Sequence, residues 1–264
     1  MRNNYLTSRV TINTFLEGRG NQVVRVAAIS DLHFSKHSKG CFINSWRELN
    51  FLADIFLLCG DLTESGQVYE AEILANELKC VNIPVIAILG NHDFHSGYAN
   101  ELSAFLQAQG VVVLDGGNFI YKVKDISIGI GGAKGFCGGF LGARAHIVGE
   151  PEMKSFAKLG TVEADKLTAS LQSLSTDIRI AIMHYAPIID TLRGERAELF
   201  PFLGDFRLEE PLNRYQPTLA FHGHAHFGSL YGSTSAGVPV YNVAYPLVRT
   251  AFRLFYIENS QKLS

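Results

Sequence analysis

The sequence predicts an α/β fold: a two-layer mixed β-sandwich, two sheets packed face to face, flanked by helices. Three observations carry the prediction. Short apolar, β-branched runs recur along the chain at strand length. Amphipathic segments of helix length separate the early runs. Later runs follow one another across gaps too short for a helix, as in hairpins.

Residues 23–30 (VVRVAAIS) read as the first buried strand and residues 55–59 (IFLLC) as the second. Residues 70–79 place Ala71, Ile73, Leu74 and Leu78 near one face of a helix. Residues 84–89 (PVIAIL) are the third strand. Residues 98–109 form a second helix through Leu102, Phe105 and Leu106. Strand and helix in alternation predict right-handed βαβ units and parallel strands. Residues 111–114, 119–123 and 126–130 are strands in hairpins, and 131–149 is an irregular insertion placed to cap a site. A helix follows at 161–174, then buried strands at 178–183 and 218–221 and final strands at 239–243 and 252–257. No repeat or linker interrupts residues 23–258, which are expected to be one domain. Residues 1–22 carry Arg2, Arg9 and Arg19 but no apolar core, so they read as a flexible tail and not a secretory signal.

Composition narrows the function. Hydrophobic residues at 47% against 18% charged exclude a disordered chain. A net charge of -2 leaves no basic excess to hold a polyanion, so nucleic acid is not expected as a stable partner. The four cysteines include no C-x-x-C pair and read as reduced thiols of a cytoplasmic protein. No apolar run approaches the ~20 residues of a membrane span.

Each buried strand runs into residues that bind metals. The first meets Asp31-Leu32-His33, the second Gly60-Asp61, the third Gly90-Asn91-His92-Asp93. The strand at 178–183 meets His184, and that at 218–221 meets His222-Gly223-His224-Ala225-His226. Ligands of α/β folds bind at the carboxyl ends of strands, so these loops converge on one cavity. Carboxylate, imidazole and amide oxygen make a borderline-hard donor set, suited to Mn, Fe, Zn or Co. Seven donors exceed the need of one tetrahedral ion, but suit two ions ~3.5–4 Å apart sharing one carboxylate.

The order D-L-H, G-D, G-N-H-D, H, G-H-A-H resembles the calcineurin-like metallophosphoesterase family. The resemblance spans Asp31 to His226 and implies that family's β-sandwich. It implies that Asp31, His33, Asp61 and His226 hold one divalent or transition-metal ion, with Asp61 bridging to a second. Asn91, His184 and His224 complete the second site, and His92 is a catalytic histidine that is not a ligand. The expected chemistry is in-line attack on phosphorus by a metal-bridging hydroxide, with His92 aiding the leaving group, an effect of roughly 10²–10⁴. His92 then needs a carboxylate or carbonyl partner.

Other residues carry weaker signals. His95, in the turn after His92, and Arg144, in the insertion, are candidate substrate contacts; an Arg can fork onto a phosphate. His37 and His146 read as loop residues, and His222 as a satisfied structural histidine. The run Gly131-Gly132-Ala133-Lys134-Gly135 is no P-loop, because G-K-[ST] is absent. Protein phosphatases of the family show G-D-x-V-D-R-G, whereas Asp61 is followed here by Leu62-Thr63-Glu64-Ser65-Gly66. G-D-L-T-x-x-G with G-N-H-D is more similar to the small phosphodiesterase branch, so a small phosphodiester is the expected substrate. The alternatives are a phosphomonoesterase or nuclease of the same family, and, in another class, a catalytically silent binding scaffold.

Overall fold

Strand β1 (Val23–Ile29) shows how the molecule is layered. Val24, Val26 and Ala28 point one way, into a core shared with the opposite sheet; Ala27 and Ile29 point the other way, under helices. Both faces are buried, which is why the strands read as unbroken apolar runs. The structure is a computed structural model that describes residues 23–258. The tail expected at 1–22 lies outside the described residues.

After β1 come α1 (Ile43–Leu52), β2 (Ile55–Cys59), α2 (Val68–Leu78), β3 (Val85–Ile88), α3 (Ala99–Ala108) and β4 (Val112–Val113). Strands β1 to β4 lie side by side in chain order, all parallel. Helix α1 buries Trp46 and Leu49. The Trp46 indole stacks on Phe42 at 5.1 Å, meets Phe56 edge-on at 5.5 Å and donates Nε1–H to the Ala251 carbonyl (3.1 Å). Glu70 fixes the start of α2 by accepting the Gln67 N–H at 3.2 Å.

The second sheet opens with the hairpin β5 (Asn118–Val123) and β6 (Ile126–Gly132). A ribbon, β7 (Gly139–Phe140) and β8 (Ala143–Arg144), precedes α4 (Pro151–Gln172) and β9 (Ile178–Ile182). Then follow α5 (Phe200–Leu203), α6 (Glu209–Tyr215), β10 (Leu219–His222), β11 (Tyr231–Ser233), β12 (Pro239–Asn242), α7 (Tyr245–Val248) and β13 (Arg253–Glu258). The order is β11-β12-β10-β9-β6-β5, with β6, β9, β10 and β12 parallel and both edge strands antiparallel. Strand β13 returns antiparallel to β1 at the edge of the first sheet. Ile128, Ile130, Ile180, Ile182 and Phe221 meet the β1–β3 core. Ala181, Met183 and Ala220, on the other face, pack with Ala164, Leu167 and Leu171 of α4.

The structure corrects the reading of 131–149 as wholly irregular. Gly131 and Gly132 pair with Ala181 and Ile182 and finish β6. A Cβ at Gly131 would strike the Ser170 hydroxyl and stand 3.1 Å from Leu171, so this glycine marks the close approach of α4, not a loop. The helix expected from 161 begins at Pro151, and α1 is an addition to the expected elements.

Candidate metal centre

Strands β1, β2 and β3 of the first sheet and β9 and β10 of the second deliver their carboxyl ends to one edge. Hydrogen bonds sew the two sheets together there. Ser30 donates its N–H to the Val243 carbonyl (3.0 Å) and its hydroxyl to the Cys59 carbonyl (2.6 Å). His184 Nδ1 meets the same Cys59 oxygen at 3.0 Å. The loops after β1 and β2 run together, Asp31 N–H to Gly60 O (3.0 Å) and His33 N–H to Asp61 O (3.1 Å). Gly60 has φ +90°, and a Cβ on it would stand 2.6 Å from His184 Nδ1; one on Gly223 would collide with Ser30 and Asp31.

Asp31 (φ 57°), His33 (46°), Asp61 (49°) and His224 (67°) all hold left-handed backbones. Each such residue costs of order 1 kcal/mol or more, held by the surrounding frame. Four of the seven expected ligands share this conformation.

The side chains converge. Asp31 accepts the His224 N–H (2.9 Å) and lies 2.9 Å from His226 Nε2. Asp61 accepts the His92 N–H at Oδ1 (2.8 Å); the same oxygen lies 3.3 Å from His184 Nε2, while Oδ2 lies 3.8 Å from His33 Nε2. Asn91 Oδ1 is 2.9 Å from His184 Nε2. Three groups bring their donor atoms within 4.8 Å of one another: Asp31, His33 and His226; Asp61, His184 and His224; and His33, Asp61 and His92. Both ring nitrogens of His33 are buried without a hydrogen-bond partner. Nδ1 stands 3.4 Å from the Glu64 carboxylate, and a metal ion at Nε2 would supply the partner that nitrogen lacks, so the residues present fit the expected ions.

Charge follows from burial and pairing. Burial alone would raise the Asp31 carboxyl, but the His226 hydrogen bond and the His184 charge hold it low. Asp61 is likewise held low against burial, chiefly by His184. Burial alone would lower His184, yet Asp61 lifts it to about 9, so a cation entering here displaces a proton. Burial, then the His184 charge, lowers His224 to about 4.

His92 Nδ1 lies 2.7 Å from the Glu64 carbonyl, the kind of partner expected for it. Asp93 is not that partner. It is buried and accepts from the Leu62, Thr63 and Gly90 N–H groups and the Thr63 hydroxyl, tying the loops after β2 and β3. The exposed His95 ring lies 4.3 Å from the His92 ring. Arg144 lies in β8 of the insertion. Its guanidinium lies over Phe206 at 4.9 Å, and among the described residues no hydrogen bond or ion pair joins it to the seven. His37 and His146 are exposed. Sequence reasoning missed two backbone carbonyls that orient rings: Phe202 O, 3.2 Å from His224 Nε2, and Cys59 O, 3.0 Å from His184 Nδ1. Backbone oxygens leave no residue-type signal to find.

His222 is fully buried and satisfied, Nε2 at 2.8 Å from the Thr191 hydroxyl and Nδ1 at 2.8 Å from the Gly223 carbonyl. Burial lowers its pKa from 6.5 to about 4. Between those values the unfolded chain binds a proton that the native ring refuses. Its contribution is full above pH 6.5 and is lost as pH falls towards 4, on the order of 3 kcal/mol. In metal-free protein, the stability gap between wild type and His222→Gln is expected to narrow from pH 7 to pH 4 in urea melts. A constant gap would show that His222 titrates normally in the fold.

The sequence profile of the calcineurin-like phosphoesterases matches residues 24–228. A search of curated proteins finds no match. Phosphopantetheinyl hydrolase (PptH) from Mycobacterium tuberculosis superposes with a TM-score of 0.66 at 14% identity, over 89% of this chain and 96% of that one. GAP50, the anchor in the inner membrane complex of Plasmodium, gives 0.54 at 10% identity, over 85% and 72%. The TT1561 protein of Thermus thermophilus gives 0.51 at 13%, over 90% and 99%. At these identities the likeness is one of fold.

Proposed function

The chain belongs to the calcineurin-like phosphoesterase family, and from that premise we propose that it hydrolyses phosphoesters, diesters ahead of monoesters, with two transition-metal ions. Asp31, His33, Asp61, Asn91, His184, His224 and His226 would hold the ions, with manganese, iron, zinc or cobalt matching the donor chemistry. The observation that carries this reading is the place of Asp61. One oxygen faces His184 and the other faces His33, so one carboxylate serves both sides of the cluster. When bound, such ions supply Lewis acidity and lower the pKa of water towards ~7.

The chain's own residues do the rest. A carbonyl only accepts, so His92 Nδ1 must carry a hydrogen towards Glu64 O. That leaves Nε2 as the ring position through which a proton would pass to a departing oxygen. His95, whose ring lies tilted 4.3 Å from this one, would contact the leaving group. Leu62-Thr63-Glu64-Ser65-Gly66 contains no Lys or Arg, so the segment after Asp61 presents no cation to a second phosphate charge. That supports a singly charged diester. The scaffold alternative calls for eroded site residues, and all seven are present. No helix among the described residues is long and apolar enough to cross a membrane. The four cysteines are unbridged, which supports a cytoplasmic setting.

The test is a comparison under one metal. Bis(p-nitrophenyl) phosphate should show the higher kcat/KM against p-nitrophenyl phosphate, and a chelator should abolish both activities until Mn²⁺ is returned. A tenfold preference for the monoester, ~1.4 kcal/mol in the transition state, would overturn the diesterase reading. Full activity in metal-free protein would overturn the metal assignment.

A further inference from the structure

Lys134 sits where β6 ends beside the metal centre. Its carbonyl accepts the N–H groups of His184 (3.0 Å) and Tyr185 (3.2 Å), which fixes the residue to the strand end that carries His184. Its side chain enters a box of three rings. Nζ lies 5.1 Å from the centre of Phe136, 5.3 Å from Tyr185 and 5.4 Å from Phe94. Two of those rings belong to the site. Phe94 closes the one-turn helix His92–Phe94, and the Tyr185 ring lies 4.5 Å from the His224 ring. The ammonium is therefore two ring contacts from one candidate ligand and one short turn from His92.

This cation is under-used within the fold. An ammonium has three donors, and here one is met, by the Gly135 carbonyl at 2.8 Å. Among the described residues no carboxylate forms an ion pair with it. Glu163, whose charge acts on it, gives its oxygens to the Gly135 N–H (3.0 Å) and to Lys166 (2.9 Å). Burial pushes the Lys134 ammonium down and Glu163 pushes it back. The box is not sealed, because Phe94 is 47% exposed. Ring faces favour a cation but supply no acceptor for its remaining hydrogens. An oxyanion at the neighbouring site would.

We infer that Lys134 is a substrate-binding residue whose ammonium receives an anionic oxygen of the phosphoester, the role expected of Arg144. The inference rests on the phosphoesterase reading for the identity of the anion. The pull of a fixed cation grows with the charge of its partner, so Lys134 favours a monoester dianion more than a diester monoanion. It is a specificity residue that moderates the diester preference.

The experiment compares Lys134→Met, Lys134→Gln and Lys134→Arg with wild type, all loaded with Mn²⁺. Lys134→Met keeps the apolar stem and removes the charge. It should raise KM for p-nitrophenyl phosphate tenfold or more, the range for a lost hydrogen bond to a charged group. KM for bis(p-nitrophenyl) phosphate should rise less, with kcat nearly unchanged, and Lys134→Arg should recover most of the loss. Inorganic phosphate titrated by calorimetry should bind at least tenfold more weakly to Lys134→Met. If that variant does not fold, Lys134→Gln carries the same comparison. Unchanged phosphate affinity, or equal KM changes for both esters with a lowered Tm, would reduce Lys134 to a packing residue. Wild type that binds phosphate through Lys134 yet hydrolyses neither ester would overturn the phosphoesterase reading and leave Lys134 standing as an oxyanion-binding residue. Wild type that hydrolyses both esters, with KM untouched in every variant, would do the reverse.

Discussion

Asp61→Ala is expected to lose bound metal and activity together, at least ~10³-fold in kcat/KM, the factor that corresponds to ~4 kcal/mol. The Asp61 carboxylate faces both sides of the cluster: Oδ1 lies 3.3 Å from His184 and Oδ2 3.8 Å from His33. Removing it withdraws a donor from each side and the acceptor of the His92 N–H. A second signature belongs to the metal-free protein. Asp61 is the chief influence lifting His184 to about 9 against burial, so the variant's His184 should titrate lower by NMR. Elemental analysis settles the first point: a variant that kept two ions per chain would refute a shared carboxylate.

His92→Ala should behave in the opposite way. It should keep its metal and lose on the order of 10²–10⁴ in turnover. Geometry alone does not separate the two roles, because His92 lies with His33 and Asp61 in a group of ligand reach. Metal content does. The Glu64 contact holds Nδ1 and leaves Nε2 for the departing oxygen, so the defect should follow the leaving group. Esters of nitrophenols need little protonation and should suffer least; alkyl esters should suffer most. An equal loss for both would exclude proton donation, and a loss of metal would make His92 a ligand.

Much of this was readable in the residues because the same pattern encodes frame and site. Strands buried on both faces announce themselves as apolar runs, and polar residues at their carboxyl ends stand out against them. Val24 to Ile29 leading into Asp31 and His33 is the plainest case. What escaped notice lacks contrast. Helix α1 begins at Ile43, after Phe42, which makes no side-chain cap, and it buries only two residues. The first turns of α4 are largely exposed, so periodicity could not extend the helix back to Pro151. Arg144 drew attention by its charge but stacks on Phe206. Lys134 was visible only as part of a motif that failed, because its meaning depends on rings from three separate loops.

The centre also lies across a seam. Asp31, His33, Asp61 and Asn91 follow strands of the first sheet, while His184, His224 and His226 follow strands of the second. Neither half holds the full set. Ion occupancy is thereby linked to cohesion between the sheets. A ligand that binds only the joined state adds ~2.7 kcal/mol at a hundredfold excess over Kd. That increment opposes any opening that parts the halves and leaves fraying of an outer helix such as α1 untouched. Amide exchange would therefore slow along the inter-sheet strands and not at the periphery, so that an ion acts as a rivet as well as a reagent.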